Sequence, residues 1–489
     1  MTFKLRSIAA ATTAALIMGF GANAMADSTT DIVNALVTKG VLTEEEGNLL
    51  LKGREGEQLG QEKAMKKATK LKVSDAIDNA TVYGDIRIRY ENRQGSGVPA
   101  ATIPATPLNV NTDATRERAR YKLTLGVKTE SGPWYTDLAL AMGANGRSDN
   151  ATFGSSASTN LDDKQQVFIK RAMIGWKATD WFTLEAGRTN NPLYTTPMVW
   201  DADLNFEGIN EQAKFKLGDA DVFLTAAQGI YQGDRRTFNI TNTAVTDTVN
   251  TELFAFQGGA RYGINDTTSA KAAITFTTIN NSGVGANSAA GSKFLPTLRN
   301  AANTATNAQA RTNDLNTIEI PGEINFMTSS NVGIRLFGDY VYNTTGDDRF
   351  KSAQSAATAG TQRDAIKAAG NDDTAWMLGV AIGSAKDLKA FEANKMAKGD
   401  WSARVWYQDV GVYSVDPNAV DSDFMDSRVN MKGTTFKAQY NIEDNVYVNL
   451  AYGHAKRKNG DLGAVGAAQD LALNLKDFDL LQLDLTYKF

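Results

Sequence analysis

Charged side chains occupy every second position in two segments of the chain. The first set is Asp85, Arg87, Arg89 and Glu91, and the second is Arg116, Arg118, Arg120 and Lys122. Because successive side chains of a β-strand point to opposite faces, each set would share one face of an extended strand. A row of cations beside acidic groups creates a field that orders and filters solutes by charge. These residues therefore favour recognition of ions and polar solutes.

The residues that most enzymes need are scarce in this chain. It has no Cys and a single His, His454. Zero Cys excludes disulfide scaffolds and thiolate metal sites, and one His leaves little room for a Ser–His pair. Gly-rich phosphate loops are absent, and a formal net charge of -4 gives no basic patch for nucleic acid. We expect no catalytic residues, no metal or other cofactor, and no nucleic-acid partner.

The face opposite each charged row is apolar, as shown by Ile86 and Ile88 in the first segment and by Leu123 and Leu125 in the second. A charge on a lipid face at mid-bilayer costs about 2–4 kcal/mol, so the charged faces must meet water. The last nine residues, 481–489, repeat the alternation and end on an aromatic residue. This pattern predicts a membrane β-barrel whose C-terminal signal, Tyr487 and Phe489, is recognised by the barrel-assembly machinery.

Alternation with a period of two continues from residue 81 to the end of the chain. Short turn-rich links alternate strictly with long polar segments, as a chain weaving across an outer membrane would require. Sixteen strands are predicted, at about 81–93, 116–130, 134–144, 166–178, 181–188, 206–217, 221–232, 252–264, 268–279, 315–326, 331–343, 374–383, 401–411, 429–441, 445–457 and 475–489.

Closure of these strands follows from the bilayer itself. No water is available in hydrocarbon, so each unpaired backbone group would cost several kcal/mol, and a closed sheet leaves no edge. The predicted fold is all-β: a closed antiparallel transmembrane barrel of about 16 strands with a short N-terminal helical segment. A barrel this wide encloses water rather than a packed core.

The N-terminus predicts export. Lys4 and Arg6 precede an apolar run from residue 8 to 20, and small residues up to Ala26 suit cleavage by a signal peptidase. Residues 1–26 are thus expected to be a signal peptide. Residues 27–80 then form a periplasmic helical segment, in which Thr43 and Glu46 make a capping box, and residues 81–489 form the barrel. The helical segment is either a cap on the barrel mouth or an oligomerisation or cell-wall contact.

Two places conflict with the regular pattern. Pro321 falls inside a strand, where it cannot donate a ladder hydrogen bond, so a bulge or a shifted strand boundary is expected there. The link 384–400 should be a short turn, yet it contains a helix-like stretch, 387–395. It is either a periplasmic helix or a sign that a pair of strands has been missed.

The expected channel wall extends to other strands, and one long loop is expected to narrow the channel. The further wall residues are Lys214, Lys216, Arg335, Asp339 and Arg404. Each wall residue either takes part in charge selection or is a solvated residue with no role in selectivity. The loop 189–205 carries two prolines and then Trp200, Asp201 and Asp203, a stiffer composition than its neighbours have. It either folds inward, with both aspartates facing the basic wall, or is an ordinary surface loop.

Four motifs together resemble the bacterial putative porin family. They are the Leu36–Glu46 stretch with its Lys39–Glu45 core, Gly84–Tyr90, Asp203–Gly208 and Asp421–Phe424. The resemblance covers nearly the whole mature chain and implies an outer-membrane β-barrel porin of a Gram-negative bacterium. The Gly84–Arg89 element and the helical start are also distantly similar to phosphate-selective porins. A phosphate filter is expected to use a dense ladder of basic residues, whereas here basic residues alternate with acids.

The expected function is therefore passive diffusion of ions and small hydrophilic solutes through a water-filled channel in the outer membrane. The alternative is a plugged or sheath-type barrel that acts as a receptor, an adhesin or a scaffold for a periplasmic partner. Expected partners are outer-membrane lipid, the solutes and the assembly machinery. Because trimers are common among sixteen-stranded porins, a homotrimer is the expected assembly.

Overall fold

The computed structural model describes most of the chain after residue 76. The described residues are 77–99, 112–143, 148–154, 165–238, 245–280, 315–356, 361–460, 462–463, 470–471 and 473–489. The signal peptide and almost all of the N-terminal helical segment lie outside the described residues, so both stay predictions.

The described residues fold into one antiparallel sheet that closes on itself, because β1 pairs with both β2 and β18. The strands are β1 (Asn79–Pro99), β2 (Thr112–Ser131), β3 (Trp134–Gly143), β4 (Ala151–Thr152), β5 (Gln166–Lys177), β6 (Phe182–Thr189), β7 (Phe206–Leu217), β8 (Ala220–Phe238), β9 (Val245–Asn265), β10 (Thr268–Asn280), β11 (Leu315–Glu319), β12 (Gly322–Met327), β13 (Val332–Asn343), β14 (Thr374–Ser384), β15 (Trp401–Val410), β16 (Met431–Glu443), β17 (Val446–Arg457) and β18 (Leu473–Lys488). The two-residue β4 does not cross the barrel, and β11 and β12 are parts of one strand. The result is the predicted sixteen-stranded barrel.

The two faces of the strands are divided as the alternation predicts. On β1, Ile86 and Ile88 are 45% and 51% exposed, whereas Arg89 and Glu91 are 4% and 0% exposed. On β18, Leu483 and Tyr487 point outward, while Asp484 and Thr486 are buried on the inner side. An apolar outer face suits lipid, and a polar inner face suits water.

The C-terminal residue completes the closure of the barrel. The Phe489 amide donates to the Gly84 carbonyl at 3.1 Å, and the Gly84 amide donates to the Phe489 carbonyl at 2.9 Å. A Cβ atom at position 84 would lie 2.6 Å from the Phe489 ring and 2.3 Å from the Thr124 carbonyl oxygen. Only glycine allows this close approach, because it has no side chain to displace the ring.

Pro321 interrupts a strand without shifting its register. Pairing with β10 stops at Glu319 and resumes at Gly322, and these residues face Thr275 and Ala272 of β10 in the same register. Of the two expected outcomes, the bulge is therefore wrong, and the strand boundary does change, because β11 ends at Glu319 and β12 begins at Gly322. Pro321 lacks an amide donor, so ladder pairing lapses locally, but no extra residue is inserted and its carbonyl still accepts from the Ala273 amide at 3.0 Å.

The link between β14 and β15 contains a short helix. The described helices are α1 (Gly346–Ala356), α2 (Thr361–Ala369) and α3 (Leu388–Glu392). Asp387 caps α3 by accepting from the Ala390 amide at 2.7 Å. Because β14 and β15 pair directly with each other, no strand is missing between them, and the helix interpretation is confirmed. None of the described helices is long and apolar enough to cross a bilayer.

Candidate functional site

The β6–β7 loop, residues 190–205, crosses the interior of the barrel. Its Tyr194 amide donates to Gln257 Oε1 at 2.8 Å, and Gln257 Nε2 donates back to the Tyr194 carbonyl at 2.8 Å. Two adjacent hydroxyls bind carboxylates further around the wall: Thr195 donates to Glu319 and Thr196 to Asp339, both at 2.5 Å. These partners belong to β9, β11 and β13, which do not adjoin β6 or β7, so the loop must span the lumen to reach them.

A second inward segment is the β15–β16 loop, residues 411–430. Most of its residues are buried, including the apolar Tyr413, Val420 and Phe424. Tyr413 packs edge-on against Phe350 of α1, with ring centroids 6.1 Å apart. Gln408 on the wall donates to Met425 Sδ at 3.3 Å. The loop therefore forms a small apolar core inside the barrel instead of extending into solvent.

The end of the β15–β16 loop adopts an unusual backbone. Met425, Asp426 and Ser427 have φ values of 60°, 54° and 54°, a left-handed conformation that costs residues other than glycine about 1–3 kcal/mol each. The Asp426 carboxylate holds this turn in place, because it accepts from the Arg93 and Arg428 guanidiniums and from the Asp470 amide, at 3.1, 3.1 and 2.9 Å.

The two inward loops are joined by hydrogen bonds. The Asp201 amide donates to the Ala419 carbonyl at 2.6 Å, and the Asp421 amide donates to the Pro197 carbonyl at 3.0 Å. The Asp201 carboxylate accepts from the Ser422 amide at 3.0 Å and from the Asp203 amide at 2.9 Å. Asp201 is thus buried at the junction, whereas Asp203 acts electrostatically on Lys122 of the wall.

The arginines of β1 and β2 hold the β15–β16 loop against the wall. Arg89 binds Asp484 at 2.7 Å and Asp423 at 3.1 Å. Arg93 binds Asp423 at 3.2 Å, and its other contacts include Asp426 and Glu91. Buried charges require such partners, since an isolated charge would lose its hydration without compensation. The predicted arginine row is therefore largely neutralised by acids, and part of it anchors a loop.

The remaining predicted wall residues lie on the inner face with various partners. Arg118 binds Glu91 at 2.5 Å and also Asp470, Arg116 binds Asp470 at 2.7 Å, and Arg120 donates to Ser148 at 2.9 Å. Arg87 donates to Asn150 at 2.5 Å, and Lys122 lies 3.6 Å from Asp85. Arg335 lies 3.7 Å from Glu323, and Arg404 lies 5.4 Å from the Trp406 ring centroid. Trp200, which belongs to the β6–β7 loop, donates from Nε1 to the Leu204 carbonyl at 3.4 Å. Lys216 lies 3.4 Å from Asp221, and Lys214 lines an internal cavity.

Open space remains beneath the β6–β7 loop, toward the short-turn end of the barrel. A cavity of about 550 Å³ lies against β7 to β10, and one of about 490 Å³ lies against β2 to β7. Both cavities are lined by Pro192 and Gln212, so they adjoin each other under the same loop. This part of the lumen carries many charged side chains, among them Lys177 and Lys271.

Two acids of the β15–β16 loop have pKa values that are shifted in opposite directions. Burial raises the pKa of Asp421, Lys437 opposes this effect, and the charges of Asp423 and Asp201 add to it, so that the resulting pKa is about 6. Burial alone would also raise the pKa of Asp423, but Arg89 and Arg93 outweigh it and hold that pKa well below its ordinary value. Asp421 is therefore the acid of this pair that can change its charge near neutral pH.

Residue-level reasoning missed Arg93, Asp423 and Asp426 as members of the lumen network. Arg93 continues the alternating row of β1 by one step beyond Glu91, so the row itself could have identified it. The Asp421–Phe424 motif marked the second loop only as a family feature. No periodicity connects that motif with β1, because the contacts join residues more than 300 positions apart in the chain.

Comparison with known proteins finds a matching family and a number of solved structures, among them the two that follow. A family described as "Putative porin" matches residues 77–314 and 297–489. The high-pH structure of Pseudomonas putida OprB is 10% identical, with a TM-score of 0.45, over 84% of this chain and 94% of that one. The crystal structure of the outer membrane channel DcaP of Acinetobacter baumannii is 12% identical, with a TM-score of 0.38, over 85% of this chain and 99% of that one. No curated protein matches the chain.

Proposed function

Because the chain belongs to the Putative porin family, it is a porin of the Gram-negative outer membrane, and we propose that its solutes pass beside the two inward loops. The channel admits small hydrophilic solutes by passive diffusion, with no enzymatic step. Space beneath the β6–β7 loop supports this proposal, because the two adjoining cavities are lined by charged and polar side chains that suit hydrated solutes.

The proposed constriction is formed jointly by the β6–β7 and β15–β16 loops. The first loop is fixed to the wall by Gln257, Glu319 and Asp339, and the second by the arginines of β1. Because both loops have anchors at several points, the narrowing should be rigid and should set an upper limit on solute size. Asp203 and Asp421 then contribute negative charge to a passage whose wall also carries cations.

A liposome-swelling assay tests the proposed function. Proteoliposomes containing the purified protein should swell rapidly in a pentose solution and not in a solution of a branched dextran, because the anchored loops leave a passage of limited width. Empty liposomes and liposomes with heat-denatured protein serve as controls. If pentose and dextran both fail to cause swelling, the barrel is plugged, and the receptor or scaffold alternative replaces the porin.

Charge selectivity should depend on pH through Asp421. This carboxylate is ionised above its pKa of about 6 and neutral below it, so acidification removes one negative charge from the constriction. The ratio of cation to anion permeability should fall between pH 7.5 and pH 5, on the order of twofold, in reversal-potential recordings. Lys437, Arg404, Asp201 and Asp423 also face this group.

The matched variants for that prediction are Asp421→Asn and Asp203→Asn. Asp421→Asn should abolish the fall in the permeability ratio, because its amide does not titrate. Asp203→Asn should lower the permeability ratio at both pH values, and the ratio should still fall between pH 7.5 and pH 5. If the permeability ratio of Asp421→Asn still falls by the same amount, another residue is responsible for the pH dependence.

Assembly is also part of the proposal. Tyr487 and Phe489 stack at the end of β18, with ring centroids 6.1 Å apart, and both are exposed on the outer face. We propose that the barrel-assembly machinery recognises this aromatic terminus and that the finished barrel forms a homotrimer. Chemical cross-linking of the protein in native outer membranes measures the number of subunits.

A further inference from the structure

The cavity of about 550 Å³ beneath the β6–β7 loop carries more cations than acids. Its cationic lining residues are Lys214, Lys216, Arg261 and Lys271, and its acidic lining residue is Asp221. Asp221 is already engaged, because it lies 3.4 Å from Lys216 and 3.5 Å from Arg261. Arg261 is further neutralised by Glu392 at 2.9 Å. The surplus positive charge therefore belongs to Lys214 and Lys271.

Strand register brings these two lysines to the same part of the wall. Lys214 of β7 pairs with Phe223 of β8, which pairs with Gly259 of β9. Lys271 of β10 lies in the adjacent row, paired with Arg261. Lys214 and Lys271 both line this one cavity, and the Glu323 carboxylate also acts electrostatically on Lys271. Among the described residues, neither ammonium group has a carboxylate oxygen within 4.0 Å.

An aromatic surface lies between the two cations. Phe223 and Tyr194 are arranged edge-on, with ring centroids 6.4 Å apart at 87°. Lys271 Nζ lies 3.7 Å from the Tyr194 centroid and 5.3 Å from the Phe223 centroid. The Tyr194 hydroxyl donates to Glu323 at 3.2 Å, and Gln257 binds the Tyr194 backbone on both sides. Tyr194 is thus held in place from three directions.

We infer that this cavity is a binding subsite for small aromatic carboxylates on their way through the channel. The carboxylate would bind Lys214 and Lys271 by charge-assisted hydrogen bonds, and the ring would pack against Phe223 and the edge of Tyr194. The inference rests on the proposed function, because it treats the cavity as part of the passage. It adds a substrate class to a channel whose family implies little about substrate.

Benzoate titration by isothermal calorimetry of the purified protein in detergent tests the inference. Benzoate should bind, whereas acetate lacks the ring and benzyl alcohol lacks the charge, so each should bind at least about tenfold more weakly. Lys271→Met should weaken benzoate binding about tenfold, because methionine keeps the length of the side chain and removes the charge. Each variant is first checked for folding by its heat-modifiable mobility in detergent gels.

Lys177→Met is the matched control variant. Lys177 Nζ also lies over a tyrosine ring, 5.3 Å from the Tyr135 centroid, but in the neighbouring cavity. It should leave benzoate binding within about twofold of the original protein. Equal weakening by both variants, or equal binding of benzoate and acetate, would overturn the subsite and leave only general attraction to a basic lumen.

Ion current through the same preparation separates the two proposals. Stepwise KCl currents without preferential benzoate binding would retain the porin and reject the subsite. Benzoate binding without any current would reject the open passage and retain the subsite as part of a plugged receptor.

Discussion

Replacing residues 413–428 with Gly-Ser-Gly-Ser is expected to raise single-channel conductance at least about twofold, because the β15–β16 loop fills part of the lumen with its own apolar core. The barrel should survive this replacement. Val410 and Met431 are paired at the ends of β15 and β16, so a short hairpin can connect them. Conductance in planar bilayers measures the effect, and sugar permeation in liposomes should extend to larger solutes.

The control for loop removal is Ser422→Ala. Ser422 contacts Asp201 and Arg93 through its backbone, and these contacts remain when its hydroxyl is removed. Its conductance should match that of the original protein. If the shortened barrel folds, as judged by heat-modifiability, and conducts no more than before, the β15–β16 loop does not restrict the passage.

Substitution of Arg93 by Met is expected to destabilise the protein by about 3–5 kcal/mol, the usual effect of removing one partner from a buried ion pair. The Arg93 side chain is 2% exposed, and its partners Glu91 and Asp426 are 0% exposed. Without the guanidinium, the left-handed turn of Met425–Ser427 would lose a main support and the loop would loosen. Denaturant unfolding followed by tryptophan fluorescence measures the free energy, and larger current fluctuations should accompany it.

Arg116→Met provides the comparison for that substitution. Arg116 belongs to the same charged row, but its side chain is 42% exposed and its carboxylate partner is Asp470. An exposed pair contributes little in water, so the loss should be under about 1 kcal/mol. Equal destabilisation by the two variants would show that burial of the Arg93 network does not determine its strength.

The sequence predicted the barrel because period-two alternation is a local property. Ile86 and Arg87 must face lipid and water respectively, and a shift of one residue would reverse both, so the pattern determines the face of each residue. The energetic cost of an unpaired backbone in lipid then requires closure. All sixteen predicted strands are present, and the helical interpretation of the β14–β15 link follows from the same kind of local pattern.

Loop conformation could not be predicted in the same way. The β15–β16 loop has no periodicity, and its position depends on ion pairs between Arg93 and Asp423 that are distant in sequence. Its left-handed residues are not glycines, so composition gave no sign of that backbone. Asp201 was expected to face a basic wall, and the structure places its carboxylate on backbone amides of the loop junction instead. Pro321 shows a related limit, since its missing amide was clear from the sequence but the retained register was not.

The central claim is that an open aqueous passage remains beside the two anchored loops. Single-channel current and reversal potential of the purified full-length protein in planar bilayers, under a KCl gradient, test it most directly. We expect discrete, ohmic current steps and a reversal potential that shifts between pH 7.5 and pH 5. Folded, heat-modifiable protein that inserts into the bilayer and passes no current would contradict it.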